Sequence, residues 1–370
     1  MLVARHQVPA WVLPADLPMP TLVDPHTYFH VIANWDGQWY RSIAAHGYPR
    51  HLPVQDGQVQ QSAWAFYPGF PALVWVVMRT GVSFGFAASV VSLSAGGAAM
   101  CVLYRMVQSR STDYLAMLTV LALCCAPAAP VFQVAYTESL GLLLLLLSLV
   151  MLEQRRYGWL LVLGLGLALT RPITLPLALA VIGQLALRWH RRDEEPFPVR
   201  ERWTLGGVTV ALVAMAGLWP LATGVVVGDL SAYSRTQQSW REMAGNRPDT
   251  WLTSLLHSAP PGRWLVVATM VALLVVIAVR SGERWTFGTR IWTVAYPMFM
   301  LAVTPPTSSI LRYLLLLGPA WWPATRIRSS EWPRAARVAV PVTVAVVGIT
   351  SQLWWLSWYF LILPSSHGFP

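Results

Sequence analysis

Long apolar runs broken by short polar loops set the pattern of this chain. They predict helices at roughly 82–104, 114–130, 135–152, 157–170, 172–188, 203–225, 263–280, 290–303, 310–324 and 338–362. Several continue for about 18 residues or more without a charge, long enough for a helix to cross a bilayer. The stretch 64–79, "WAFYPGFPALVWVVMR", is also apolar, but Pro68 and Pro71 interrupt its first half. Proline lacks the amide donor and crowds the preceding turn. This stretch either spans, or lies at the interface as a re-entrant or juxtamembrane helix. The predicted fold class is an all-α polytopic membrane protein.

Composition agrees. Of 370 residues, 55% are hydrophobic and 11% charged, whereas a soluble domain carries about a quarter charged residues. The net charge of +10 comes from 26 basic and 16 acidic residues, and every basic one is arginine. If 64–79 does not span, the loops at 105–112, 153–156, 188–202, 280–290 and 325–337 fall on one side and hold 16 of the 26 arginines. Short arginine-rich loops stay cytoplasmic. The basic balance therefore reads as membrane orientation, and nucleic acid is not an expected partner. The opposite face receives residues 1–81, 136–139, 170–172, 226–262 and 304–309. If 64–79 does span, residues 1–63 change sides and the later loops keep theirs.

That opposite face collects Asp36, Glu138, Arg171, the segment 228–251 and Arg312. Ionisable groups at the edge of a span are costly, and they mark a substrate path or a structural pair. In "NWDGQWYRSIAAHGYP" (34–49), Asp36 is either the N-cap of an interfacial helix with a belt of Trp35, Trp39 and Tyr40, or a catalytic carboxylate. Gly47 and Pro49 mark the helix end. In "YTES" (136–139), Thr137 or Glu138 would cap the next helix, where an acid is favourable. In "LTRP" (169–172), Arg171 sits at a break between apolar helices, with Pro172 as first residue of the second. Structural pairing with Glu138 and binding of a phosphate both fit Arg171, and Arg312 poses the same choice. His26 and His30 have the i, i+4 spacing of a metal pair, but no third ligand is evident in that segment. Cys101, Cys124 and Cys125 lie in apolar runs and read as core filler, not as a disulfide or zinc framework. The chain shows no cleavable signal pattern, nucleotide loop or nucleophile elbow.

The string Trp35-Asp36-x-x-Trp39-Tyr40-x-x-Ile43-Ala44-x-x-Gly47-Tyr48 resembles the signature of the PIG-V-type mannosyltransferases. "AFYPGFP" (65–71), "AYTESL" (135–140) and "LTRP" are similar to later elements of that family, in the right order. The likeness covers about residues 33–320. It implies a GT-C-like helical bundle whose first external loop carries juxtamembrane helices. It also implies a polyprenyl-phosphate-linked sugar donor, an acceptor hydroxyl on a glycan, lipid or protein, and transfer with inversion and without a metal or other cofactor. On that pattern Asp36 is the catalytic base. A carboxylate desolvated among aromatics becomes a better base, and Arg171 and Arg312 would hold the donor phosphate, with Arg235 and Arg241 as further options. Trp35, Trp39, Tyr40, Trp64, Tyr136 and Glu138 complete the expected substrate-binding set. The enzyme would sit as a multi-pass protein in a bacterial plasma membrane, its site facing outward.

The corresponding organisation is a segment 1–34, an external catalytic loop 35–81, a transmembrane core 82–325, and a cytoplasmic loop with a last helix over 326–370. The family begins with a transmembrane helix ahead of the Trp-Asp motif, which residues 1–34 do not supply. The helix after 338 reads as a separate addition. A lipid or glycolipid transporter and an inactive membrane scaffold are the alternative functions.

Overall fold

The computed structural model describes residues 27–243, 285–304, 309–321 and 329–361. The expected helix 263–280, most of segment 1–34, His26, and Arg280, Arg284, Arg326 and Arg328 lie outside them. Among the described residues the chain is mostly helical. The helices are α1 (Tyr28–Val31), α2 (Asp36–His46), α3 (Gly69–Met78), α4 (Phe84–Gln108), α5 (Asp113–Cys124), α6 (Glu138–Glu153) and α7 (Tyr157–Ala168). They continue as α8 (Thr174–His190), α9 (Val199–Ala216), α10 (Leu218–Val227), α11 (Ala232–Met243), α12 (Phe287–Val303), α13 (Ile310–Tyr313) and α14 (Arg334–Trp355). Two strands of two residues each, β1 (Val54–Gln55) and β2 (Gln58–Val59), form an exposed antiparallel hairpin between α2 and α3.

Local chemistry explains several boundaries that differ from expectation. The run 114–130 is helical only to Cys124, because Pro127 and Pro130 cannot continue it, and a 3₁₀ segment, Ala129–Gln133, follows. After Arg171 the helix begins at Thr174, not at Pro172. The run 203–225 is two helices, α9 and α10, bent by 40° at Gly217. The run 310–324 is one α turn followed by a 3₁₀ stretch, Leu314–Trp321. Cys101 and Cys124 are exposed rather than core, since their helices turn those faces outward.

Among the described residues, two helices, α4 and the continuous Arg334–Phe360, are long and apolar enough to cross a membrane, and the bent pair α9–α10 makes a third if counted as one broken span. The ambiguous stretch 64–79 yields only the ten-residue α3. At about 1.5 Å per residue it is roughly 15 Å long, half of an apolar layer of about 30 Å, so as a helix it does not span.

The core forms where small residues let helices close. Ala87, Ala88, Ala95 and Ala99 line the buried face of α4, and a Cβ on Gly96 would lie 3.2 Å from Ser139 Oγ on α6. Between α8 and α12, a Cβ on Gly183 would overlap the end of the Ile291 side chain, so the glycine lets that side chain pack directly on α8.

Sixteen residues of α6, about 24 Å at roughly 1.5 Å each, separate two charged ends. At the Glu153 end the arginine-rich loops meet. Arg110 pairs with Glu153 and lies 4.6 Å over the Trp285 ring, and Arg155 pairs with Glu195 at 3.2 Å. Thr112 contacts Ser329, and the Tyr114 hydroxyl donates to the Arg337 carbonyl. The described parts of all five loops thus share one end. The helix from Arg334 packs on the end of α5: Gln352 donates to the Cys124 carbonyl at 2.7 Å, and Gly348 packs directly on Cys125.

Candidate functional site

The other end of α6 holds four charged groups that the sequence scatters. Asp36 is the first residue of α2. The N-cap position belongs to Trp35, and no side chain caps the helix start, which corrects the capping reading of Asp36. Its carboxylate turns instead to α13, where Oδ2 accepts from Arg312 Nη1 at 2.5 Å across 276 residues of sequence. Glu138 opens α6, where the helix dipole favours an acid. Its Oε1 lies 2.9 Å from Arg171 Nη1 and 3.8 Å from Arg312 Nε. Thr137 makes no cap bond and accepts from Arg171 Nη1 at 3.0 Å.

Glu138 is 1% exposed, Arg312 7% and Arg171 9%, whereas the Asp36 side chain keeps 25% of its surface open. Asp36 is therefore not the isolated carboxylate among aromatics that its flanking residues suggest. It is ion-paired and partly open. The guanidinium planes lie on aromatic rings: Arg312 is 4.9 Å from the Tyr136 ring and 5.2 Å from that of Tyr313, and Arg171 is 5.3 Å from Tyr313. Such contacts replace part of the lost hydration. Gly141 makes room, since a Cβ there would stand 2.8 Å from Arg171 Cδ. The loop before Arg171 is tied to α3 by the Gly69 amide, which donates to the Leu169 carbonyl at 2.6 Å.

Of the expected substrate-binding residues, Tyr136, Glu138 and Tyr40 join this cluster. Burial, reinforced by the charges of Asp36 and Glu138, pushes the Tyr40 phenol well above its ordinary pKa, so it stays a neutral hydroxyl. The tryptophans go elsewhere. Trp39 stacks on Phe66 at 5.6 Å and meets the edge of Trp240 at 5.3 Å. Trp64 stacks on Tyr48 at 4.6 Å, packs on Trp219, and donates to the Pro49 carbonyl. Both indoles are buried, so neither presents a free face to a sugar in this arrangement. Trp35 donates Nε1–H to the Phe360 carbonyl at 2.7 Å. Arg235 is bound to Asp229 at 3.1 Å on the surface, and His30 pairs with Thr27.

Sequence reasoning missed Tyr313, Gly141 and the arginine-anchoring role of Thr137. Tyr313 is adjacent to Arg312, and Gly141 lies one turn beyond Glu138. Among the described residues, two buried polar atoms of the cluster, Glu138 Oε2 and Arg312 Nε, find no hydrogen-bond partner. Arginine forks recognise phosphate bidentately, and the partly open Asp36 is the member that a ligand would meet first. Compared with known proteins, the chain matches no family profile and no curated sequence.

Proposed function

We propose that this chain is a multi-pass membrane glycosyltransferase. It would transfer a sugar, mannose on the motif likeness, from a polyprenyl-phosphate donor to an acceptor hydroxyl on the face opposite the arginine-rich loops. The observation that carries this reading is the Asp36–Arg312 pair, packed against Glu138–Arg171 at that opposite end. A glycosyl transfer from a lipid phosphate needs a base for the acceptor and a cation for the leaving group, and this pair supplies both within one contact. The likeness of the Trp-Asp, "AYTESL" and "LTRP" stretches to PIG-V-type mannosyltransferases supports the same chemistry.

In the proposed reaction the donor phosphate draws Arg312 from Asp36, which leaves the carboxylate free. The acceptor oxygen attacks the anomeric carbon while Asp36 takes its proton. The bond from that carbon to the phosphate oxygen breaks, and the electron pair leaves with the phosphate, toward Arg312 and Arg171. One in-line displacement inverts the centre, so a β-linked donor gives an α-linked product.

Membranes carrying the chain should transfer radiolabel from polyprenyl-phosphate-mannose into new glycosides, assayed separately in lipids and proteins. Movement of intact donor across the bilayer without a new glycoside would make the protein a transporter. Neither event would leave a scaffold. The orientation has its own test in a background lacking the native cysteines. Gln58→Cys in the hairpin should label from outside, and Asp193→Cys only after permeabilisation; labelling of both from outside would overturn it.

A further inference from the structure

The backbone just before Asp36 is strained. Trp35 has φ 54 and ψ −117, a left-handed conformation that favours glycine and that a bulky side chain holds only where its surroundings impose it. The surroundings are on both sides. On one side, the Tyr136 hydroxyl donates to the Asn34 carbonyl at 3.3 Å. On the other, the Phe360 carbonyl accepts from Trp35 Nε1 at 2.7 Å and from Asn34 Nδ2 at 3.3 Å.

Phe360 ends the helix that starts at Arg334. Its last turn, Leu356–Phe360, is a π turn in which the Leu361 amide donates to the Leu356 carbonyl at 3.0 Å. Terminal carbonyls of a helix lack intrahelical donors, and here Trp35 and Asn34 provide them. The Phe360 ring is buried, stacked on Trp355 at 5.7 Å and 6.1 Å from Tyr136. The half-buried Trp35 thus commits its indole N–H to this bond.

We infer that Trp35 is a positioning residue: its indole, held by the Phe360 carbonyl at the end of the last helix, fixes the strained backbone that aims Asp36. This rests on the reading of Asp36 as the base. It makes the helix from Arg334 part of the site without giving it any contact with the reacting atoms.

Trp35→Phe keeps an aromatic ring and removes the N–H donor together with part of the indole's bulk. With polyprenyl-phosphate-mannose as donor, it should lower kcat about ten-fold at an unchanged donor KM. In an Asp36→Asn background the same change should have no further effect, since positioning acts only through the group positioned. Equal losses in both backgrounds, or a raised KM with kcat intact, would overturn the inference, and the second outcome would restore Trp35 as a substrate contact. Wild-type protein that transfers nothing would sink the proposed reaction instead. The positioning then stands or falls on amide exchange of the purified protein. Trp35→Phe should speed exchange over residues 36–40 and leave α4 and α6 unchanged, and unaltered exchange over 36–40 would refute it.

Discussion

The two ends of α6 solve the same problem in opposite ways. At the Glu153 end the buried charge is a base. Arg188 is buried, but one of its partners reaches out: Glu195, 2.5 Å away, is 50% exposed, whereas Glu201, 3.2 Å away, is 12% exposed. The Pro196 carbonyl and the Phe197 ring complete its shell. At the Glu138 end the acid is the most deeply buried group and both of its arginines are buried with it. Burying both partners costs desolvation on each, and a hydrophobic replacement is often as stable. A network that only ties loops together has no need of that cost. The contrast separates an anchor, whose nearest acid stays hydrated, from a preorganised charge cluster, the arrangement expected where charge changes during a reaction.

Glu138→Gln should break that contrast most visibly. It removes the carboxylate between two buried arginines, and losing one partner of a buried pair costs roughly 3–5 kcal/mol. Thermal unfolding in detergent would show it, and a loss under about 1 kcal/mol, the scale of an exposed pair, would put the two ends in one class. Asp36→Asn comes next. Its amide still accepts a hydrogen bond from Arg312, and α2 loses no cap, so the fold should hold while transfer drops by about 100-fold or more, the range for a general base. Near-normal transfer by a folded variant would remove Asp36 from the chemistry.

Arg171→Gln sharpens the comparison between phosphate holder and structural partner. A charged hydrogen bond is worth roughly 1.5–3 kcal/mol, about ten-fold or more in donor KM; an unchanged KM alongside lost stability would make Arg171 purely structural. The smallest effect belongs to the other end. Glu195→Gln should shift stability by no more than about 1 kcal/mol and leave transfer rates alone, measured in the same two assays.

Much of this contrast was legible in the sequence. The apolar runs located most helices, because burial and bilayer contact both demand long uncharged stretches. Arginine spacing grouped the loops that the structure joins through Arg110 and Arg155. Asp36, Glu138, Arg171 and Arg312 each stood out as charges at the edge of an apolar run. Their partners did not. Asp36 and Arg312 are 276 residues apart, and no local period links them. The helix ends at Cys124 and Thr174 were misplaced because proline spacing and the break at Arg171 act through backbone geometry, which hydropathy does not register. Trp39 and Trp64 resembled sugar platforms because a tryptophan that packs on Phe66 or Tyr48 reads the same in sequence as one that awaits a ligand.

The bond from Asn34 to Phe360 also has a consequence for biosynthesis. It joins residues 326 positions apart. At roughly 5–20 residues per second, translation needs on the order of tens of seconds to cover that distance. Throughout that interval the loop bearing Asp36 is already made, while the carbonyl that fixes it does not yet exist. The two arginines also enter at different times, Arg171 midway and Arg312 near the close. A nascent chain therefore holds both acids of the cluster before it holds the clamp. A chain that stops before Phe360 would lack the carbonyl that accepts from Trp35 and Asn34, and the backbone ahead of Asp36 would lose that anchor.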